Sequence, residues 1–228
     1  MAGAPRIAQS KLVIQGLNAR VGPVWGDASD RDFYRRILEQ DHAFFMNTCE
    51  RIVEYILVND INEVVSDAIE GYEPTHDICE AIARAAVLRA SQQSATRIHH
   101  YLIPILGNPG HAPFGNSSAA IKIELTCEQI SRKRTAIAAY AKRAGTRLTA
   151  EIQDAYDRHG ISAFDREYLF EAPHNGWQRW HRHFIETAPQ YELRGRAHVA
   201  SGRDQIAINY KDHVAPISER LINPSCAS

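Results

Sequence analysis

The stretch from Ser29 to Leu106 constrains this chain most, because long helical periodicity alternates there with short β-branched runs. Ser29 or Asp30 suits an N-cap, and Phe33, Ile37, Phe44, Thr48, Ile52 and Ile56 then recur at helical spacing. Phe45, Cys49 and Val53 widen that stripe, so one long helix is predicted to about Val58. Glu63–Asp67 (EVVSD) reads as a strand. Thr75 is placed to cap a second helix, with Ile78, Ile82, Ala85, Ala86 and Arg89 along its inward face. Ile98–Leu106 (IHHYLIPIL) reads as another strand, which Pro104 either confines to an edge or ends. Helix, strand, helix, strand in that order predicts an α/β fold with a mainly parallel sheet flanked by helices.

The flanks add further elements. Lys11–Gln15 (KLVIQ) is a short strand candidate, followed by a loop punctuated by Gly22, Pro23 and Gly26. Asn108–Ser118 is a Gly/Pro/Asn/Ser loop long enough to serve as a flap. Ala119–Leu125 alternates like a strand, Thr126 caps a helix over Cys127–Arg143, and Gly160 stops another over Leu148–Arg158. From Pro173 the chain becomes rich in Trp, His and Arg. It ends in an amphipathic helix with Ile206, Tyr210, Val214, Ile217 and Leu221 on one face. The expected division is an α/β domain over 1–172 and a helical C-terminal appendage over 173–228, packed on that domain or on a partner.

Composition narrows the function classes. With 228 residues and 44% hydrophobic residues, the chain can bury a core without disulfides or structural metal. A net charge of −1 gives no global field for nucleic acid or an anionic membrane. The cluster Arg132-Lys133-Arg134 with Lys142-Arg143 reads as a solvated helix face. No window approaches the roughly 20 apolar residues of a membrane span, and Met1–Ser10 is polar, so a soluble, cytoplasmic protein is expected. The four cysteines lack C-x-x-C spacing, which fits a reducing compartment. No G-x-G-x-x-G, Walker or G-x-S-x-G motif is present.

Chemistry concentrates in Ser66–Asp77. In parallel α/β sheets, ligands gather beyond the carboxyl ends of the strands, and this turn follows such an end. It carries Asp67, Glu70, Glu73 and Asp77, with His76 opening the next helix. A helix N-terminus disfavours an imidazolium, so His76 is expected to be neutral, the form that binds a metal. A neighbouring Asp there is stabilised as carboxylate and can orient the His or bind the metal itself. The competing explanation is helix capping alone, since acids are common in a first helical turn.

A strand, an acidic turn, then Pro74-x-His76-Asp77 opening a helix resembles the second metal motif of the LmbE/PIG-L deacetylases. Ile123–Tyr140 is similar to that family's strand and Lys-bearing helix, and Arg166–Phe170 to its late Glu-Tyr/Phe segment. The resemblance covers residues 60–172. It implies a Rossmann-like sheet and a divalent metal, zinc in that family, held by His76 with Asp67 or Asp77. It also implies Glu70 or Glu73 as general base, and hydrolysis of an amide in a glycosyl or other polar small molecule. The family's first motif, Ala-His-Pro-Asp-Asp, has no counterpart between Met1 and Asp60. A catalytic zinc takes about three protein ligands and an open position. Either other residues, an upstream segment or a partner chain complete the site, or the metal chemistry is altered or lost. His111, His174 and Trp177 are the candidates for completing the site or touching substrate. His99 and His100 are adjacent on a strand and point to opposite faces. The alternative from another class is a non-catalytic binding or scaffold protein whose tail, Trp177–Leu221, is its partner surface.

Overall fold

The computed structural model describes residues 3–17, 19–113 and 118–223. The strand runs at EVVSD and IHHYLIPIL form β1 (Glu63–Asp67) and β2 (His99–Ile103), paired in parallel and joined through α4 (Pro74–Gln93). Pro104, which lacks an N–H to continue the ladder, follows the last residue of β2. β3 (Ile121–Glu124) and β4 (Arg166–Glu171) are antiparallel to each other, and β4 is antiparallel to β2. Among the described residues the strand order is β1-β2-β4-β3. The α/β class is as expected. The predominance of parallel pairing is not, because only the β1–β2 pair is parallel. The hairpin-like return of β4 against β3, across α5 (Cys127–Ala144) and α6 (Thr146–His159), sets the other two pairings.

Three boundaries differ from the sequence-based expectation. Lys11–Gln15 lies inside α1 (Gly3–Gly16), which docks on α5, with Ser10 Oγ 3.2 Å from Tyr140 Oη. Only two β-branched residues stand in that run, and Lys, Leu and Gln favour helix. The long helix is two: α2 (Asp30–Leu38), capped by Ser29, and α3 (His42–Val58). Gln40 takes a left-handed φ of 50° between them, and Asp41 caps α3 by accepting from Phe44 N at 3.0 Å. The apolar stripe survives the break because Phe33 packs edge-on against Phe44 and Phe45. α4 begins at Pro74 with Glu73 at its N-cap position, so Thr75 is inside the helix and caps nothing. Thr126, by contrast, forms a full capping box with Gln129 at the start of α5.

The C-terminal segment forms α7 (Gly176–Glu186), α8 (Gln190–Ala200), a π-helical turn at Tyr210–Val214 and α9 (Ala215–Ile222). Tyr210, Val214, Ile217 and Leu221 are buried as the stripe predicts, whereas Ile206 precedes the helix and is exposed. The core is one cluster built around α4. Ile78, Ile82 and Ala86 of α4 meet Phe45 and Cys49 of α3, Trp177 and Phe184 of α7, and Ile217 of α9. No helix among the described residues is long and apolar enough to cross a membrane.

Gly71 ties the turn after β1 to this core. It has φ +66°, and a Cβ there would stand 2.7 Å from the Phe184 ring and 2.9 Å from Pro189. Left-handed backbone and overpacking each cost about 1–3 kcal/mol. Gly71→Ala is therefore expected to lose about 3 kcal/mol in urea unfolding, and a loss under about 1 kcal/mol would contradict this packing.

Candidate functional site

Beyond Asp67 the chain stays attached to the sheet for one residue, with Ala68 N donating to Ile103 O at 2.8 Å. It then reverses at Gly71 and enters α4 at Pro74, whose fixed φ and missing N–H suit the first helical position. The carboxylates of this turn do different work. Glu70 reaches across to the loop after β2, accepting from Ile105 N (2.8 Å), Leu106 N (2.9 Å) and Gly107 N (3.0 Å). Both its oxygens are occupied, which makes it a backbone clamp. Truncation by Glu70→Ala frees three donors that water partly satisfies, so about 2 kcal/mol of stability should go. Amide exchange at 105–107 should accelerate; unchanged protection there would remove the clamp.

Asp77 faces inward and is 3% exposed. Its Oδ1 accepts from Glu70 N at 3.2 Å and Gly71 N at 3.3 Å, so it shapes the turn from within the helix. Its Oδ2 is buried without a partner, as is the Tyr191 hydroxyl. Burial raises the Asp77 carboxyl to about 7, against the pull of the two N–H donors. The Tyr191 and Tyr210 phenols, close enough to feel that charge, are raised by burial too. One turn further along, Glu80 is fully buried and Arg84 nearly so. They pair through Nε at 2.9 Å and Nη2 at 2.5 Å, while Nη1 donates to Pro173 O at 2.9 Å.

His76 and Asp67 remain for chemistry. His76 Nδ1 lies 2.7 Å from Asp67 Oδ2, a contact joining the first turn of α4 to the last residue of β1. This hydrogen bond raises the imidazole above its ordinary value, with the Asp67, Glu73 and Asp77 charges acting the same way against desolvation. The pull of the helix N-terminus against an imidazolium is thus opposed by a carboxylate at hydrogen-bond distance. Glu73 is largely buried, with Oε1 unpartnered and Oε2 3.7 Å from Arg194 Nη2, and burial raises its carboxyl. Arg194 itself stacks over Tyr72 and donates to its carbonyl.

His76, Glu73, Tyr72 and Asp77 line a cleft of about 900 Å³ between the carboxyl ends of β1 and β2 and the α6 helix. Ile105, Leu148, Ile152 and Phe164 give it apolar walls, and Glu151, Tyr156 and Arg158 its polar side. The other residues singled out by sequence lie elsewhere. His174 lines a second cleft around the amino end of β2, His111 lines neither, and Trp177 is buried against His181 and Tyr210. Residues 114–117 of the expected flap lie outside the described residues. Among the described residues, no group of three His, Cys, Asp or Glu side chains is placed to hold a metal ion.

Sequence inspection missed Glu80, Arg84, Tyr191 and Arg194. Asp77, Glu80 and Arg84 stand at helical spacing on one face of a segment otherwise lined by Ile and Ala, which is the trace a buried polar stripe leaves. Tyr191 and Arg194 are more than a hundred residues from the turn, and nothing local marks them. No protein-family model, curated protein or solved structure matches this chain.

Proposed function

We infer that the cleft at the strand ends binds a polar small molecule and hydrolyses an amide in it, with His76 as general base and Glu73 as general acid. The observation that carries this is the 2.7 Å contact of Asp67 with His76 Nδ1, in a cleft that Glu73 also lines. Asp67 holds the ring in one tautomer and orientation and stabilises the imidazolium, leaving Nε2 as the working nitrogen. A water that gives its proton to Nε2 adds through oxygen to the carbonyl carbon. The C–N bond then breaks as the raised Glu73 carboxyl protonates the departing amine. Proton return from His76 to Glu73 through water resets the pair. Two titratable groups displaced by their surroundings are a common sign of divided acid and base roles.

The zinc centre that the LmbE/PIG-L resemblance implies does not fit these residues. His76 Nε2 would remain for a metal, but no three-ligand group accompanies it among the described residues. Asp77 is turned into the core, so the step above uses no metal. A second proposal, a non-catalytic binding protein, is favoured by one observation: both oxygens of Glu70 and Oδ1 of Asp77 hold backbone.

Wild type, His76→Ala and Asp67→Asn should be assayed on N-acetyl amino sugars and aryl amides, alongside metal analysis and imidazole NMR titration. Hydrolysis reduced about a hundredfold in His76→Ala, with the His76 titration moved to lower pH in Asp67→Asn, supports the enzyme. Equal hydrolysis by His76→Ala, or an unmoved titration, overturns it. Stoichiometric zinc that disappears in His76→Ala would instead restore the metal route.

A further inference from the structure

The second cleft, about 750 Å³, has a chemistry of its own. It lies around the amino end of β2 and the carboxyl end of β4, at the opposite end of the strands from His76. Among the described residues that line it, Arg97, Arg179 and His174 stand exposed on its rim with one carboxylate, Glu171. That sets two guanidinium groups beside one carboxylate at the mouth of the cleft. The ion pair of Arg97 with Glu171 at 3.3 Å joins two mostly exposed side chains and is readily exchanged for a ligand. Arg84, at the back, is already neutralised by Glu80, and its tie to Pro173 O fixes the segment leading into α7.

Two further features shape what the rim would hold. α7 starts in this cleft at Gly176, and its N-cap residue, Asn175, makes no side-chain cap. A Cβ at Gly176 would stand 3.0 Å from both Arg84 Nη2 and Pro173 Cγ, so glycine lets the helix start approach this wall closely. The positive end of the helix dipole therefore adds to the charge of the rim. The floor is apolar: Val87 and Leu88 of α4 with Ile98 line it, and Leu88 is 39% exposed. Beside them His100 is buried and held neutral, its pKa lowered to about 3 by desolvation and by Arg84, with Nε2 2.8 Å from Ser66 Oγ. A neutral imidazole on the floor offers polarity without charge, while the cations stay at the mouth.

We propose that this cleft is a second binding site, for a small organic anion with an apolar body, a carboxylate or phosphate ester, separate from the His76 cleft. The anionic head meets Arg97, Arg179 and His174, and the apolar body covers Leu88. A free inorganic anion satisfies only the first half, and an organic cation meets like charge.

Calorimetric titration of the full chain with phenyl phosphate, benzoate, inorganic phosphate and benzylamine separates these cases. Phenyl phosphate or benzoate should bind with a Kd near about 1 mM or tighter, and benzylamine should not. The double variant Arg97→Gln/Arg179→Gln should weaken the organic anion about tenfold or more. Leu88→Asn should weaken it while leaving inorganic phosphate unaffected. Both arginines and Leu88 are surface residues, and circular dichroism checks that the variants are folded. The proposal is overturned if neither organic anion binds by about 10 mM, if inorganic phosphate binds as well as they do, or if the double variant binds like wild type.

Discussion

Arg84→Met is expected to remove about 4 kcal/mol of folding stability, among the largest single-residue effects here, because it strands Glu80 as an unpaired buried charge. Glu80 is fully buried and, among the described residues, its only hydrogen-bond donor is Arg84, with Oε2 unpartnered. Desolvation already drives its carboxyl upward, and Arg84 opposes that. Adding Glu80→Leu to Arg84→Met should recover most of the loss, since a buried ion pair replaced by apolar side chains of similar size is often neutral. The remainder reports the lost tie from Arg84 Nη1 to Pro173 O. Urea unfolding of the two singles and the double closes the cycle. A single Arg84→Met variant within about 1 kcal/mol of wild type would refute the buried pair.

The second large effect is a dependence on pH that runs opposite to ordinary acid denaturation. An unfolded Asp releases its proton near about 3.9, whereas folded Asp77 keeps its proton to about 7. Between those values the folded state holds more protons, so stability falls as pH rises. Three units of displacement correspond to something on the order of 4 kcal/mol lost between pH 4 and pH 8. The Glu73 and Glu80 carboxyls, also raised by burial, act in the same direction. His76 does too: its raised imidazole stabilises the fold fully at pH below its unfolded value, and this is lost as pH climbs through the folded one. Asp77→Asn removes its own part of this slope while its amide oxygen can still accept from Glu70 N and Gly71 N. The variant should therefore match or trail wild type at pH 5 and exceed it at pH 8. Urea midpoints at both values test this, and a wild-type profile flat across the range would exclude a proton on buried Asp77.

Legibility followed the range of the interactions responsible. β1 over Glu63–Asp67, the cap at Thr126 and the stop at Gly160 are written in neighbouring residues, and the structure keeps all three. Lys11–Gln15 failed as a strand because a five-residue run has no period of its own, and docking on α5 decided it. The break at Gln40–Asp41 interrupts an apolar stripe that the two helices reassemble through Phe33, so periodicity alone ran straight across it.

The turn at Ser66–Asp77 shows the same division within one site. By itself the sequence determined that acids and an imidazole collect where a strand hands over to a helix, because strand ends, Pro74 and Gly71 are local signals. Which of those acids is a clamp, which is buried and which meets His76 was decided only by the tertiary structure. Glu70 became a clamp because residues 105–107 present three unpaired donors to it. Asp77 went inside because α7, α8 and the Tyr210 turn close over that face of α4. Asp67 was left to hold His76 because β1 and the first turn of α4 meet there at 2.7 Å. A carboxylate's role depends on which donors and how much solvent surround it, and those are supplied by segments distant in sequence.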